Sequence, residues 1–233
     1  MRTWKQTAGF LVNGVSASVR RISNRTRVEN RTRVEDHSAL LDRYLARLEA
    51  SSGLPKVLLE IGAGLTTKVL ATHARRVGAQ AHSIDTNAEL IAGVDAEVNS
   101  DGVVTFHSGT SLEMLPGILR EVEKIDFAFL DSAPSAMTTW QEFALIEPFL
   151  KSGAIVVVDN ACLPGEVATL SPCRKGKIVV PFLLASSWWE VEGHPQSGDS
   201  MVVAIRHGDP HYADTDFEGA WNDDWKKRVS DGR

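Results

Sequence analysis

The sequence contains little cysteine and no long apolar run. Cys162 and Cys173 are the only two cysteines among 233 residues, and neither belongs to a CxxC pair. The sequence leaves a disulfide between them open, but so low a content is typical of a reducing compartment and gives no cysteine-based zinc site. No segment approaches the roughly 20 apolar residues that a membrane-spanning helix requires. We therefore expect a cytoplasmic protein without a membrane span.

An excess of basic charge is also absent. The 25 lysines and arginines are outnumbered by 30 acidic residues, and the net charge is −5. A general nucleic-acid binder needs clustered basic side chains to neutralise phosphates, so this balance predicts no nucleic-acid partner.

Charge is distributed unevenly along the chain. Residues 1–35 are basic and contain the sequence NRTRVE twice, whereas residues 209–233 are acidic and contain Trp221 and Trp225. We expect the first segment to be a solvated arm; a lid or a contact with an anionic partner is the alternative. The two tryptophans have helical spacing and predict docking of the tail on its own chain or on a second subunit, so a homodimer is one expectation.

The residues between these segments, 36–208, predict one α/β domain. Leu40, Leu41, Tyr44, Leu45 and Leu48 recur at helical spacing within residues 36–50, which predicts a helix that covers the core or acts as a lid. From residue 56 onward, short apolar runs alternate with helical patterns. The predicted strands cover residues 57–61, 79–84, 103–107, 125–130 and 154–158, and the predicted helices cover 66–77, 88–99, 112–122 and 140–150.

This alternation predicts a doubly wound, mostly parallel sheet with helices on both faces. Residues 188–191 and 201–206 predict two further strands, joined by a loop that contains Gly193, Pro195 and Gly198. The pair would add an antiparallel hairpin to the sheet and bring it to seven strands.

The turn after the first strand is a candidate ligand site. Gly62 and Gly64 would let the backbone approach a ligand closely at a helix start, where N–H groups lack partners. The dinucleotide pattern GxGxxG requires a third glycine where this chain has Thr67, which disfavours NAD or FAD. Glu60 precedes the turn and suits a ligand with a positive ammonium or sulfonium group.

Asp85 ends the second strand, where a carboxylate can accept both hydroxyls of a ribose. The alternative role for Asp85 is to cap the helix that follows.

The segments LLEIGAGLTT and SIDTN resemble the first two cofactor motifs of class I S-adenosylmethionine-dependent methyltransferases. The resemblance covers residues 56–206 and implies a Rossmann-like methyltransferase domain over residues 36–208 that binds S-adenosylmethionine. The segment from His107 to Ser111 resembles the family's adenine-contacting segment, with Thr110 in place of the usual aspartate. The cofactor-binding residues that the resemblance implies are Glu60, Gly62, Ala63, Gly64, Asp85, Thr86, Gly109, Thr110, Ser111 and Asp131.

Two further strand ends carry oxygen ligands. Asp131 follows the fourth strand, and Asp159 and Asn160 follow the fifth; neighbouring strands lie about 4.8 Å apart, so these side chains can converge. Carboxylate and amide oxygens suit Mg²⁺ or another hard divalent cation. The segments FAFLDSAPS and VVVDNACLPG are similar to the small metal-dependent O-methyltransferases, which implies a metal at Asp131, Asp159 and Asn160. Alternatively, Asp131 shapes the substrate floor and Asp159 caps a turn.

The general base is harder to assign. Catechol and caffeoyl-coenzyme A enzymes carry a lysine three residues after the first aspartate, where this chain has Pro134, so a catechol acceptor is in doubt. The candidate catalytic residues are then Asp131 and His194, which lies in the predicted hairpin loop; a surface position is the alternative for His194.

Together these observations predict an S-adenosylmethionine-dependent methyltransferase that modifies a hydroxyl of a small-molecule acceptor, with or without a divalent metal. A non-catalytic protein that keeps the fold is the alternative. An NAD(P)-dependent oxidoreductase is a third hypothesis, against which the missing glycine at position 67 counts.

Overall fold

The computed structural model describes residues 37–52, 54, 57–162, 171–195 and 200–208. The predicted basic arm of residues 1–35, Asp36 and the acidic tail of residues 209–233 lie outside the described residues. In the described segments, no helix combines the length and the apolar character that crossing a membrane would require.

The described residues form one seven-stranded sheet with the strand order β3-β2-β1-β4-β5-β7-β6. The first five strands in this order are parallel to one another, whereas β7 runs antiparallel to both β5 and β6. The predicted doubly wound sheet with a terminal antiparallel hairpin is therefore confirmed. The strands are β1 (Val57–Ile61), β2 (Gln80–Asp85), β3 (Val104–Ser108), β4 (Ile125–Leu130), β5 (Leu150–Cys162), β6 (Trp189–Pro195) and β7 (Ser200–Arg206).

Helices cover both faces of the sheet because successive strand residues point to opposite sides. In β4, Phe127 and Phe129 pack into one apolar cluster with α1 and α2, and Ala128 and Leu130 pack into a second cluster with α4, α5 and α6. The described helices are α1 (His37–Ser52), α2 (Leu65–Val77), α3 (Ala88–Val98), α4 (Ser111–Glu121), α5 (Ala136–Ile146) and α6 (Gly176–Ala185), with a 3₁₀ turn at Glu147–Phe149.

Four elements differ from the sequence prediction. Helix α5 covers Ala136–Ile146 and not residues 140–150, because Ser135 caps its start and β5 already begins at Leu150. Strand β5 covers Leu150–Cys162, longer at both ends than residues 154–158, because the extra residues pair with β4 and β7. Strand β6 extends to Pro195, so the hairpin loop is shorter than predicted. The sequence of residues 176–185 predicted no helix or strand, yet α6 forms there. The segment was missed because its residues are almost all apolar, which gives no helical period, and because it contains Pro181.

Candidate functional site

A cavity of about 320 Å³ opens at the carboxyl ends of the central strands. It lies beside the switch point of the sheet, where the chain order reverses between β1 and β4 and where open α/β folds bind ligands. Its size falls at the lower end of the range for small-molecule sites. The lining residues are Ile61, Gly62, Ile84, Asp85, Thr86, Gly109, Thr110, Ser111, Asp131, Ser132, Ala133 and Thr138.

Gly62 forms the tightest point of the loop between β1 and α2. Its φ is 102°, and a Cβ at this position would lie 2.4 Å from the carbonyl oxygen of Asp131. The Gly62 N–H donates to the carbonyl oxygen of Ile84 at 2.8 Å, and the Asp131 N–H donates to that of Ile61 at 2.8 Å. Position 62 therefore requires glycine for the fold itself, before any ligand is considered.

Gly64 differs from Gly62 in this respect. Its φ of 173° is extended backbone, and no heavy atom of the described residues lies within 4 Å of a Cβ built there. The protein's own packing therefore does not require glycine at position 64.

Glu60 lies behind this loop and does not line the cavity. Its side chain is buried and accepts hydrogen bonds from the hydroxyls of Thr66 at 2.5 Å, Thr67 at 2.6 Å and Ser83 at 2.6 Å. Burial raises the pKa of Glu60 to about 7, although the three hydroxyl donors act in the opposite direction. In the structure Glu60 therefore braces the glycine loop from behind.

Asp85 lines the cavity and also ties two elements together. One carboxylate oxygen accepts the Ala63 N–H at 3.0 Å, and the other accepts the Asn87 N–H at 2.7 Å. The side chain of Asn87, not that of Asp85, caps α3 by accepting the N–H groups of Glu89 and Leu90. The structure thus gives the capping role to Asn87 and leaves Asp85 facing the cavity beside Thr86. Ala63 itself is not among the lining residues.

The segment from Gly109 to Ser111 forms the far wall, where β3 turns into α4. The Thr110 hydroxyl donates to Glu113 at 2.7 Å, and the Ser111 hydroxyl donates to Glu142 at 2.5 Å. The fully buried Glu142 also accepts the hydroxyl of Ser132 at 2.8 Å. Burial raises the pKa of Glu142, while both serine hydroxyls lower it. Glu142 was not anticipated from sequence, and it joins two walls of the cavity.

Asp131 and Asp159 converge as predicted, but a lysine lies between them. The Lys175 ammonium contacts Asp131 Oδ1 and lies 3.8 Å from Asp159 Oδ2, and its side chain is only 3% exposed. Burial raises the pKa of Asp131 to about 6, although the ammonium lowers it. Burial also raises the pKa of Asp159, but the hydrogen bond from His37 and the charge of Lys175 outweigh this effect and hold it below its ordinary value.

This donor set does not fit a divalent cation. Among the described residues, no group of three or more histidine, cysteine, aspartate or glutamate side chains could hold a metal ion. Asn160, the third ligand predicted from sequence, has a φ of 50° just beyond the point where β5 pairs with β4. His37 Nε2, at the start of α1, lies 3.2 Å from Asp159 Oδ1 instead. The carboxylates of Asp131 and Asp159, which the sequence predicted as metal ligands, are therefore in contact with basic side chains.

Local backbone packing sets the position of Lys175. A Cβ on the next residue, Gly176, would lie 2.1 Å from the carbonyl oxygen of Ala161 in β5. The Cys173 N–H donates to that same oxygen at 2.9 Å, and the Gly176 N–H donates to Cys173 at 2.8 Å. This close crossing presses the start of α6 onto the end of β5. Lys175 escaped the sequence reasoning because it lies 44 residues after Asp131.

His194 does not lie in a loop, which corrects the prediction. It belongs to β6, is 4% exposed and shares a hydrogen bond of 2.6 Å with the Tyr44 hydroxyl of α1. Arg43 Nη2 approaches its other ring nitrogen at 3.4 Å, and Glu192 lies 3.7 Å away. His194 does not line the cavity, so the structure does not bring this candidate catalytic residue to the site.

Comparison with known proteins gives one match to a family model. Residues 59–161 match a family model described as a methyltransferase domain. No curated protein matches the chain significantly.

Solved structures with the same fold include several methyltransferases. An O-methyltransferase from Bacillus cereus, in complex with SAH, is 17% identical with a TM-score of 0.52, and the match covers 79% of this chain and 99% of that one. A candidate O-methyltransferase from Klebsiella pneumoniae is 19% identical with a TM-score of 0.57, covering 81% and 89%. A candidate caffeoyl-CoA O-methyltransferase from Staphylococcus aureus is 16% identical with a TM-score of 0.57, covering 86% and 99%.

Proposed function

We propose, from the match of residues 59–161 to a methyltransferase-domain model and from the cavity described above, that this chain transfers the methyl group of S-adenosylmethionine to a hydroxyl of a small-molecule acceptor. The observation that carries the proposal is the cavity itself. Gly62, Asp85, Gly109 and Asp131, predicted from separate sequence motifs, all line it.

The cofactor would lie across the carboxyl ends of β1 and β2. Its ribose hydroxyls would donate to Asp85, whose oxygens each accept one backbone N–H and retain further lone pairs. The methionine part would pass over Gly62 and Gly64, and the open space above Gly64 leaves room for that approach. The adenine would lie against the segment from Gly109 to Ser111; the hydroxyls of Thr110 and Ser111 already donate to glutamates, so backbone atoms are the better candidates there.

Methyl transfer is an in-line displacement. The acceptor oxygen forms a bond to the methyl carbon while the carbon–sulfur bond breaks, so the sulfonium becomes a neutral thioether and the hydroxyl proton passes to a base. The protein contributes mainly by aligning the two reactants. Asp131 is the candidate for orienting the acceptor hydroxyl and accepting its hydrogen bond, because it lines the cavity at the end of β4.

The loop chemistry favours this proposal over a nicotinamide oxidoreductase. Thr67 stands where the dinucleotide pattern has its third glycine, and its hydroxyl accepts the Gly64 N–H at 2.9 Å. That N–H belongs to the turn on which a dinucleotide site would hold its pyrophosphate.

Calorimetric titration of the purified chain with S-adenosylhomocysteine and, separately, with NAD⁺ tests the assignment. We expect binding of the former alone, followed by transfer of labelled methyl groups in a screen of hydroxyl-bearing acceptors. Preferential binding of NAD⁺ would contradict the proposal. Binding of S-adenosylhomocysteine without transfer to any acceptor would favour the non-catalytic alternative.

A further inference from the structure

The strongest unexplained feature of the molecule is a buried lysine placed between two carboxylates beside the cavity. Lys175 is 2% exposed, and its ammonium meets Asp131 and Asp159 at the ends of two neighbouring parallel strands. Asp131 lines the cavity, whereas Lys175 lies behind it. The cluster therefore connects directly to the wall where an acceptor would bind.

A cation between these carboxylates offsets the repulsion of two like charges in a buried site. Either a divalent metal or an ammonium group can supply it. A magnesium or calcium ion would need about six oxygen ligands, including waters, in the volume that the ammonium occupies. The two cations thus exclude each other by both charge and volume.

The backbone leaves Lys175 little freedom to withdraw. Gly176 packs so closely on Ala161 that a Cβ would lie 2.1 Å from the carbonyl oxygen. Since the adjacent residue is fixed to β5, the lysine side chain has to start from this point and extend towards the strand ends. The fold therefore fixes the backbone of Lys175 beside the strand ends, and the buried side chain reaches the two carboxylates from there.

We propose that Lys175 takes the place of a divalent cation in this site, so that the chain acts without a metal and uses Lys175 as a positioning residue for Asp131. The catalytic part of this inference rests on the proposed function, whereas the exclusion of metal does not. One consequence concerns the acceptor. A metal ion can hold two adjacent acceptor oxygens, whereas Asp131 needs only one hydroxyl, so a vicinal diol is not required.

The direct test is titration of the purified full-length chain with Mn²⁺, followed by electron paramagnetic resonance of the free ion. We expect no binding to the wild type at Asp131 and Asp159, and at least tenfold tighter binding by Lys175→Ala, which frees both carboxylates and opens space. Lys175→Met is the matched control, because it removes the charge but fills the space. Stoichiometric Mn²⁺ binding by the wild type that is lost in Asp159→Asn would overturn the proposal.

The wild-type titration decides the matter even if the lysine variants fail to fold. Affinity for S-adenosylhomocysteine, measured on the same samples, separates this inference from the proposed function. Absence of that affinity would refute the methyltransferase assignment and leave the metal result standing. Once an acceptor is found, turnover in excess EDTA should equal turnover in buffer, and a tenfold loss that Mg²⁺ restores would overturn metal independence.

Discussion

The Thr67 hydroxyl donates a hydrogen bond of 2.6 Å to the buried carboxylate of Glu60. The same hydroxyl accepts the N–H of Gly64 at 2.9 Å. One side chain therefore connects the end of β1 to the start of α2 and holds the glycine turn in place. The threonine that departs from the dinucleotide pattern is thus a structural part of the loop.

Replacing Thr67 tests this connection. We expect Thr67→Val to lower the free energy of unfolding by about 1–3 kcal/mol, because it leaves a buried carboxylate with one donor fewer. Affinity for S-adenosylhomocysteine should fall as well, since the turn loses its brace. Thr67→Ser keeps the hydroxyl and serves as the control. Equal urea midpoints for the valine and serine variants would refute the role of this hydrogen bond.

The two loop glycines should respond differently to alanine. Gly62→Ala should destabilise the fold by roughly 1–3 kcal/mol, because position 62 has a positive φ and the new Cβ would lie 2.4 Å from the Asp131 carbonyl oxygen. Gly64→Ala should leave the melting temperature unchanged and weaken cofactor binding, since only a ligand would meet the new methyl group. Thermal melts and calorimetry check both. A Gly64→Ala variant with full affinity would place the ligand elsewhere.

Asp85 is expected to bind the ribose. Removing its carboxylate in Asp85→Ala should weaken S-adenosylhomocysteine binding by about 1–3 kcal/mol, the usual cost of leaving polar groups unmatched in a site. Glu123→Ala is the control, because this exposed carboxylate lies just before β4 begins, at the opposite edge of the sheet. Unchanged affinity in Asp85→Ala, or an equal loss in both variants, would rule out the assignment.

The carboxylate of Glu192 should stabilise the fold in a pH-dependent manner. Burial alone would raise its pKa, but hydrogen bonds with His194, Tyr44 and Arg47 outweigh this and lower the pKa from 4.5 to about 2. The folded state therefore prefers the ionised form, and the stabilisation is present above pH 4.5 and lost as the pH falls towards 2.

We expect Glu192→Gln to cost about 2 kcal/mol at pH 7 and progressively less below pH 4.5, measured by urea unfolding across this range. Glu190→Gln, on the same strand but with a side chain that is 25% exposed, should change stability little. A Glu192→Gln deficit that stays constant with pH would show that packing, and not charge, is responsible.

His194 should behave as a structural residue. His194→Asn removes the hydrogen bond of 2.6 Å with the Tyr44 hydroxyl, and we expect a lower melting temperature with a methyl-transfer rate within about twofold of wild type. Tyr44→Phe removes this bond and also the one that the Tyr44 hydroxyl donates to Glu192 at 2.6 Å, so it should lower the melting temperature further and again leave the rate nearly unchanged. A large fall in rate at unchanged stability would return His194 to the candidate catalytic residues.

The sequence predicted the sheet and the cofactor side of the site better than it predicted the acceptor side. Gly62, Asp85 and Asp131 could be found because strand ends follow from short apolar runs, and the fold brings such ends to one edge. Lys175 and His37 could not, since both reach Asp159 from distant segments that carry no motif. His194 was misplaced because glycine and proline around it suggested a loop, whereas pairing with β7 extends β6 through it.

The close contact between Gly62 and Asp131 has a consequence for engineering this protein. The backbone of Gly62, proposed to lie beneath the methyl donor, packs closely on the backbone of Asp131, proposed to face the acceptor, and the Asp131 N–H donates to the carbonyl oxygen of Ile61. Neither backbone segment can be changed without moving the other. We therefore expect that a library of substitutions in the residues after β4, made to widen the choice of acceptor, will also change the affinity for the cofactor. Selections for new acceptors should therefore be paired with a screen for retained cofactor binding.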